Sequence, residues 1–269
     1  MPKIKVNDIS MYYEIQGSGE PIVLIAGFSV DHLTWTEVVN QLKDSYQVIT
    51  FDNRGAGQTD VTKGPYSIEQ MANDVVGLCR ALDIKKAHFV GNSMGGYIVQ
   101  TLAHQHPELV TSALISNSTM NTQCCFHIYV DAQLELLKAN VPLRALVHAS
   151  CAWAFSYQFL NQPGVMEQLI EMTLNNPYPF TIEGYEGQYV ALDQFNSSQW
   201  AHDIRTPTLV VSGDQDLIFN HDLAKKLADQ IPHSQYYCFK NCGHLPMIEY
   251  PQLFADILKE FISTGKLKH

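Results

Sequence analysis

Gly91-Asn92-Ser93-Met94-Gly95 is the stretch on which the reading of the fold turns. It follows a strand candidate, His88-Phe89-Val90, and precedes a helical run from Gly96 to His106. A serine flanked by small residues between a strand and a helix describes a sharp turn that exposes the hydroxyl above the sheet edge. The helix N-terminus behind it favours negative charge at the same place. A glycine-rich turn without chemistry could carry the same five letters, so the surrounding pattern has to decide. The stretch is not a dinucleotide fingerprint, because GNSMGG lacks the G-x-G-x-x-G order. Gly55-Ala56-Gly57 fails the same test, with Asp60 where the third glycine belongs, and no G-x4-G-K-[ST] occurs. Nucleotide-dependent chemistry is therefore not indicated.

Outward from the serine, short apolar runs alternate with amphipathic stretches. Ile9–Ile15 alternates, whereas Ile22-Val23-Leu24-Ile25-Ala26 is solidly apolar. Val48–Phe51, Ala113–Ile115, Thr208–Val211 and Tyr236–Phe239 complete the strand candidates. Continuous apolar runs of this length suit parallel strands covered on both faces. Ser67 and Gln70 have the spacing of a capping box, opening a helix whose face runs through Met71, Val75, Leu78 and Leu82. Phe254, Ile257, Leu258 and Phe261 stripe a last helix over about 252–262. The alternation predicts an α/β fold, a doubly wound and mostly parallel sheet. It breaks between Met120 and Arg205, where 132–140, 143–160 and 165–175 read as helices and no strand is convincing. The expected organisation is an α/β core of residues 1–119 and 206–269, with a helical cap inserted at 120–205.

A serine hydroxyl needs a base that is itself oriented by an acid. In this kind of sheet the chain order should be Ser, then Asp or Glu, then His. Val210-Val211-Ser212-Gly213-Asp214-Gln215-Asp216 runs off a strand candidate and offers two acids, Asp214 and Asp216. Asn241-Cys242-Gly243-His244-Leu245-Pro246 leaves the next one and offers His244. All three features fall where strands end, which is where open α/β sheets bind ligands. Their conjunction in the required order marks Ser93 as a nucleophile candidate.

Composition narrows the class. The 269 residues are 46% hydrophobic and 16% charged, which describes a core-forming chain. A net charge of −10 argues against a phosphate-backbone grip on nucleic acid and against docking on anionic membranes. No apolar run approaches the ~20 residues of a membrane span, and the first residues lack the apolar stretch of a secretory signal. A cytoplasmic location is the expectation. The six cysteines read as reduced thiols rather than a disulfide framework. Cys238-x3-Cys242-x-His244 lacks CxxC spacing and a fourth ligand, so no metal is expected.

With these residues in place, the chain resembles the α/β-hydrolase superfamily along nearly its whole length. Phe51-Asp52-Asn53-Arg54-Gly55-Ala56-Gly57-Gln58-Thr59 is similar to the family's D-x-R-G-x-G-x-S segment. Gly64-Pro65-Tyr66-Ser67-Ile68-Glu69 with Asp74 resembles the opening of its next helix. The family acid is the Asp of G-x-x-D, which falls on Asp216, and its base matches Gly243-His244 with Glu249 and Pro251 downstream. The alternative acid position, Ser116-Asn117-Ser118, has no carboxylate. The resemblance implies a Ser93–His244–Asp216 triad, no cofactor, and an oxyanion hole from the backbone N–H groups of Met94 and Phe28. Relatives usually carry His-Gly before that second donor, where this chain has Ala26-Gly27.

Serine at the elbow sets the chain apart from dehalogenases and epoxide hydrolases, which place Asp there. GNSMGG echoes carbon–carbon bond hydrolases, but Leu245-Pro246-Met247-Ile248 stands where those have a Trp. Carboxylesterases, enol-lactonases and cofactor-free haloperoxidase-like hydrolases are more similar, notably in Gly27-x-x-x-Asp31-x-x-x-Trp35. The inserted segment, residues 120–200, holds twelve of the chain's 28 aromatic residues, of which Phe126, Tyr129 and Trp153 are expected at the pocket beside Phe28 and Leu245. It also carries seven acidic residues against Lys138 and Arg144, too few cations to clamp a carboxylated substrate. The expected substrate is therefore a small, mostly neutral acyl ester, thioester or lactone. Receptors that keep the triad for signalling are the alternative from another class, and acyltransferases a third. Steady-state turnover separates the first two.

Overall fold

The structure, a computed structural model, describes residues 3–267. In chain order the strands are β1 (Lys3–Val6), β2 (Ile9–Gln16), β3 (Glu20–Ile25), β4 (Tyr46–Phe51), β5 (Ala87–Asn92), β6 (Val110–Ser116), β7 (Thr208–Gly213) and β8 (Gln235–Phe239). The helices are α1 (Thr36–Leu42), α2 (Ile68–Ala81), α3 (Met94–Gln105), α4 (Cys124–Lys138), α5 (Leu143–Ala154), α6 (Tyr157–Leu160), α7 (Val165–Leu174), α8 (Ile182–Gln194), α9 (His221–Gln230), α10 (Pro246–Glu249) and α11 (Pro251–Thr264). The sheet order is β1-β2-β4-β3-β5-β6-β7-β8. β1–β2 and β2–β4 pair antiparallel, and every pairing from β4–β3 to β7–β8 is parallel.

The solid apolar runs have a direct cause. Successive side chains of a strand point to opposite faces, so a strand covered on both sides must be apolar at every position. Val23 and Ile25 of β3 join the core beneath α2, α3 and α9, while Ile22 and Leu24 join the core beneath α1 and α11. Phe89 and Val90 of β5 divide in the same way, as do Val210 and Leu209 of β7. Burying each such side chain contributes on the order of 1.5–3 kcal/mol. Ser67 caps α2 by accepting the Gln70 N–H at 3.0 Å.

Helices α4–α8 form the insertion between β6 and β7. Its ends are stitched together by an antiparallel bridge between Asn121 and Asn196 and by Ser197 N–H to Met120 O at 2.8 Å. Several boundaries differ from expectation. The helix expected over 132–140 begins at Cys124, and the one expected over 143–160 breaks at Phe155, whose backbone is extended. β1, α1, α8 and α9 had no counterpart in the sequence reading. Cys79, Cys151 and Cys242 are buried thiols, but Cys124 and Cys125 are exposed at the start of α4. No helix among the described residues is long and apolar enough to cross a membrane.

Candidate active site

Ser93 sits between β5 and α3 with φ 56° and ψ −117°, a strained backbone for a residue with a side chain. Such a conformation costs of order 1–3 kcal/mol and persists only where its surroundings fix it. Here the Ser93 N–H is held by Ser116 O at 2.9 Å, across to β6. At Gly95 a Cβ would lie 2.3 Å from Ile25 O, so glycine is what lets α3 begin directly against the end of β3. The turn lifts Ser93 to the carboxyl edge of the sheet, as the motif requires.

Asp216 and His244 arrive from the loops after β7 and β8. His244 Nδ1 lies 2.8 Å from Asp216 Oδ2. The other carboxylate oxygen accepts the N–H groups of Ile218 and Phe219 at 2.8 and 2.9 Å. Asp214 is spent differently: its Oδ1 accepts the Cys242 N–H at 3.3 Å, and Lys240 stands 3.8 Å from its Oδ2. Ser93, Asp216 and His244 are each about 5% exposed, so all three are buried rather than on an open face. Among the described residues Ser93 Oγ makes no hydrogen bond to His244. In free enzymes this bond is often long and tightens towards the transition state.

The loop after β3 touches the elbow: a Cβ at Gly27 would lie 3.3 Å from Ser93 Cβ. Ala26 O is held by Asn53 Nδ2 at 3.0 Å, and the Ser29 N–H donates to Gln188 Oε1 at 2.8 Å. Between them the Phe28 N–H makes no hydrogen bond among the described residues. Met94 opens α3, so its N–H has no acceptor within the helix. Phe28 thus follows the residue that touches the elbow, and Met94 follows Ser93 directly in the chain.

A run of ring contacts leads from this loop to the histidine. Tyr185 lies 4.4 Å from Phe28, Phe28 6.3 Å from Phe126, Phe126 5.4 Å from Phe219, and Phe219 5.7 Å from His244. Phe28 and Phe126 thus belong to a run of rings in which Phe219 touches His244. Tyr129 and Trp153 pair with each other at 5.3 Å, and among the described residues that run of rings does not include them. Leu245 is half-buried and packs against the Val147–Cys151–Phe155–Ile170 cluster of the insertion. Phe219 was not anticipated, since it follows Asp216 in a loop without apolar periodicity.

Residues to which the sequence assigns no role carry the polar frame. Asn117, with φ 47°, donates from Nδ2 to Asp216 Oδ2 at 2.9 Å and to Gly243 O at 3.1 Å. Its Oδ1 is fixed by Ser116 Oγ at 3.0 Å. Asn92 Nδ2 donates to His244 O at 3.2 Å. Among the described residues no group of three or more His, Cys, Asp or Glu side chains has the geometry to hold a metal ion.

Comparison with known proteins gives a consistent family. The alpha/beta hydrolase fold family model matches residues 20–251. BpoC of Mycobacterium tuberculosis, which carries a non-heme bromoperoxidase name, is 30% identical over 96% of this chain and 99% of its own. The enol-lactonase of Burkholderia xenovorans LB400 superposes with a TM-score of 0.86 at 28% identity, covering 97% of this chain and 100% of that one. A thermophilic esterase from Thermogutta terrifontis superposes at 0.85 with 25% identity, covering 99% of both chains.

Proposed function

Because this chain belongs to the alpha/beta hydrolase fold family, we propose that it is a serine hydrolase cleaving ester-type bonds of small, mostly neutral acyl substrates. The observation that carries the reading is the 2.8 Å contact of His244 Nδ1 with Asp216, in a fold that sets Ser93 on the neighbouring elbow. Asp216 fixes the tautomer in which Nδ1 carries the proton and Nε2 is free to accept one. Ser93 Oγ attacks the acyl carbonyl and its proton passes to His244 Nε2. The carbonyl oxygen, now an anion, takes hydrogen bonds from the Phe28 and Met94 N–H groups. His244 returns the proton to the departing alkoxide or thiolate, leaving Ser93 acylated. A water deprotonated by His244 then attacks the acyl carbon, and the carboxylic acid leaves as Ser93 recovers its proton.

The rings of Phe28, Phe126 and Phe219 favour an apolar acyl group. The acidic surplus of the insertion disfavours an anionic one. Hydrolysis of p-nitrophenyl acyl esters of increasing chain length, with lactones and thioesters in parallel, tests the reading. Ser93→Ala should reduce kcat by at least about a thousandfold. Wild-type rates in that variant would end the assignment, and one stoichiometric burst without further turnover in the native protein would indicate a sensor.

A further inference from the structure

The junction of α5 and α6, residues 154–158, lies directly on the loops that carry Asp216 and His244. Ala154 O accepts the His244 N–H at 2.7 Å. Ser156 donates to both oxygens of Glu249, through its N–H at 3.2 Å and its Oγ at 2.5 Å. Glu249 Oε1 also accepts the Gly243 N–H at 2.8 Å, one residue before the histidine. On the acid side, the Tyr157 N–H donates to Gln215 Oε1 at 3.0 Å, one residue before Asp216. Gln215 Nε2 returns to Gln158 Oε1 at 2.9 Å, and Gln158 Nε2 reaches Asn241 Oδ1 at 3.2 Å. The approach is close enough that a Cβ on Gly243 would lie 2.6 Å from Ala154 O. Leu245 and Ile248 pack on the Phe155 cluster beside it.

So many bonds between an inserted segment and two separate loops exceed what a cover needs. Burial pushes the Glu249 carboxyl above its ordinary range, and the donors from Ser156 and Gly243 act against that rise. A buried carboxylate is tolerated where donors converge on it, so Glu249 ties the junction and the histidine loop into one unit.

We propose that Ser156, acting through Glu249, is a positioning residue for His244, and that the inserted helices thereby form part of the catalytic frame. The proposal rests on the Ser93–His244–Asp216 reading given above. Losing the Ser156 hydroxyl leaves Glu249 Oε2 without its donor and loosens the Gly243 N–H contact. The imidazole then drifts from its line between Asp216 and Ser93, and misplacement of that kind acts on kcat more than on substrate binding.

Ser156→Ala and Ser156→Thr, compared with the native protein, test this. Two readouts are needed: kcat and KM on a p-nitrophenyl ester, and the low-field proton NMR signal of the His244–Asp216 hydrogen bond. In Ser156→Ala, kcat is expected to fall about tenfold with KM within about twofold, and the low-field signal to shift or broaden. Ser156→Thr, which keeps the hydroxyl, should restore both. A wild-type kcat with an unmoved signal in Ser156→Ala overturns the proposal. So does a loss of kcat that Ser156→Thr fails to restore while the signal stays in place. Should the native protein not turn over any ester, the hydrolase reading fails by itself and the signal still decides. Movement in Ser156→Ala with recovery in Ser156→Thr supports positioning, while an unmoved or absent signal refutes it.

Discussion

Asn117 shows how much of the site rests on a residue that is not itself reactive. Its left-handed backbone, tolerated by Asn better than by most residues, turns the chain at the end of β6 and aims one amide at both Asp216 and the residue before His244. Replacing the amide by a carboxyl keeps the shape and sets two acids on one site. Like charges at that distance cannot both ionise, so the pair holds a proton and the carboxyl pKa in the folded state rises above its unfolded value. A group raised in this way stabilises the fold at low pH and loses that contribution as pH climbs through the folded pKa. Asn117→Asp should therefore unfold in urea almost like the native protein at about pH 5 and progressively more easily than it towards about pH 8, the difference between the two growing with pH. Ser93, Asp216 and His244 were legible because each lies in a short turn after a strand, where local pattern has meaning. Asn117 was not, because its partner lies 99 residues away and nothing beside it in the chain signals the contact.

At the scale of elements, the parallel strands announced themselves, since burial on two faces demands unbroken apolar runs. Helix α8 carries Gly184 and Gly187 in its interior, residues that in a sequence mark loops more often than helices. Both are packing glycines: a Cβ at Gly184 would meet Gly55 O at 2.0 Å, and one at Gly187 the Tyr66 ring at 2.6 Å. That close approach lets α8 push Gln188, fully buried, between two loops of the core. Gln188 accepts the Ser29 N–H at 2.8 Å and donates to Arg54 O at 2.8 Å. Ser29 is itself left-handed, at φ 57°, and follows the proposed oxyanion donor Phe28. Gln188→Met would leave the buried Arg54 carbonyl and the part-buried Ser29 N–H without this partner, at a cost of about 1–3 kcal/mol for the buried group and less for the other. The same change should lower kcat by about tenfold or more with little effect on KM, because the donor matters most in the transition state. Urea unfolding and steady-state kinetics on one ester check both halves of this expectation.

Across the whole molecule, the −10 charge masks a cation on which several elements converge. Arg54 is 1% exposed and pairs with Asp74 of α2 at 2.9 Å and with Asp8, in the turn between β1 and β2, at 2.7 Å. Asp74 is as buried as the arginine, while Asp8 is 60% exposed at its side chain. Asp74→Ala removes the buried partner and leaves the guanidinium only its solvent-side pair with Asp8 and a bond to Thr62, and should cost about 3 kcal/mol. Asp8→Ala, at the solvent side, should cost less than about 1 kcal/mol. The shift of the urea midpoint at constant m-value separates the two. The α/β alternation and the presence of a helical insertion were legible because both are written in local periodicity. How the insertion meets the core depended on side chains from distant segments, such as Ser156 with Glu249, and no window along the chain contains both. The bridge between Asn121 and Asn196 adds a last consequence. Since its two ends meet at that bridge, the insertion has the form of a cassette, and a short turn could span Asn121 and Asn196 without straining β6 or β7. Lineages or engineers exchanging that cassette could alter ligand preference while the sheet stays intact. On the proposal for Ser156, a cassette without its own donor for Glu249 should lower kcat about as much as Ser156→Ala does.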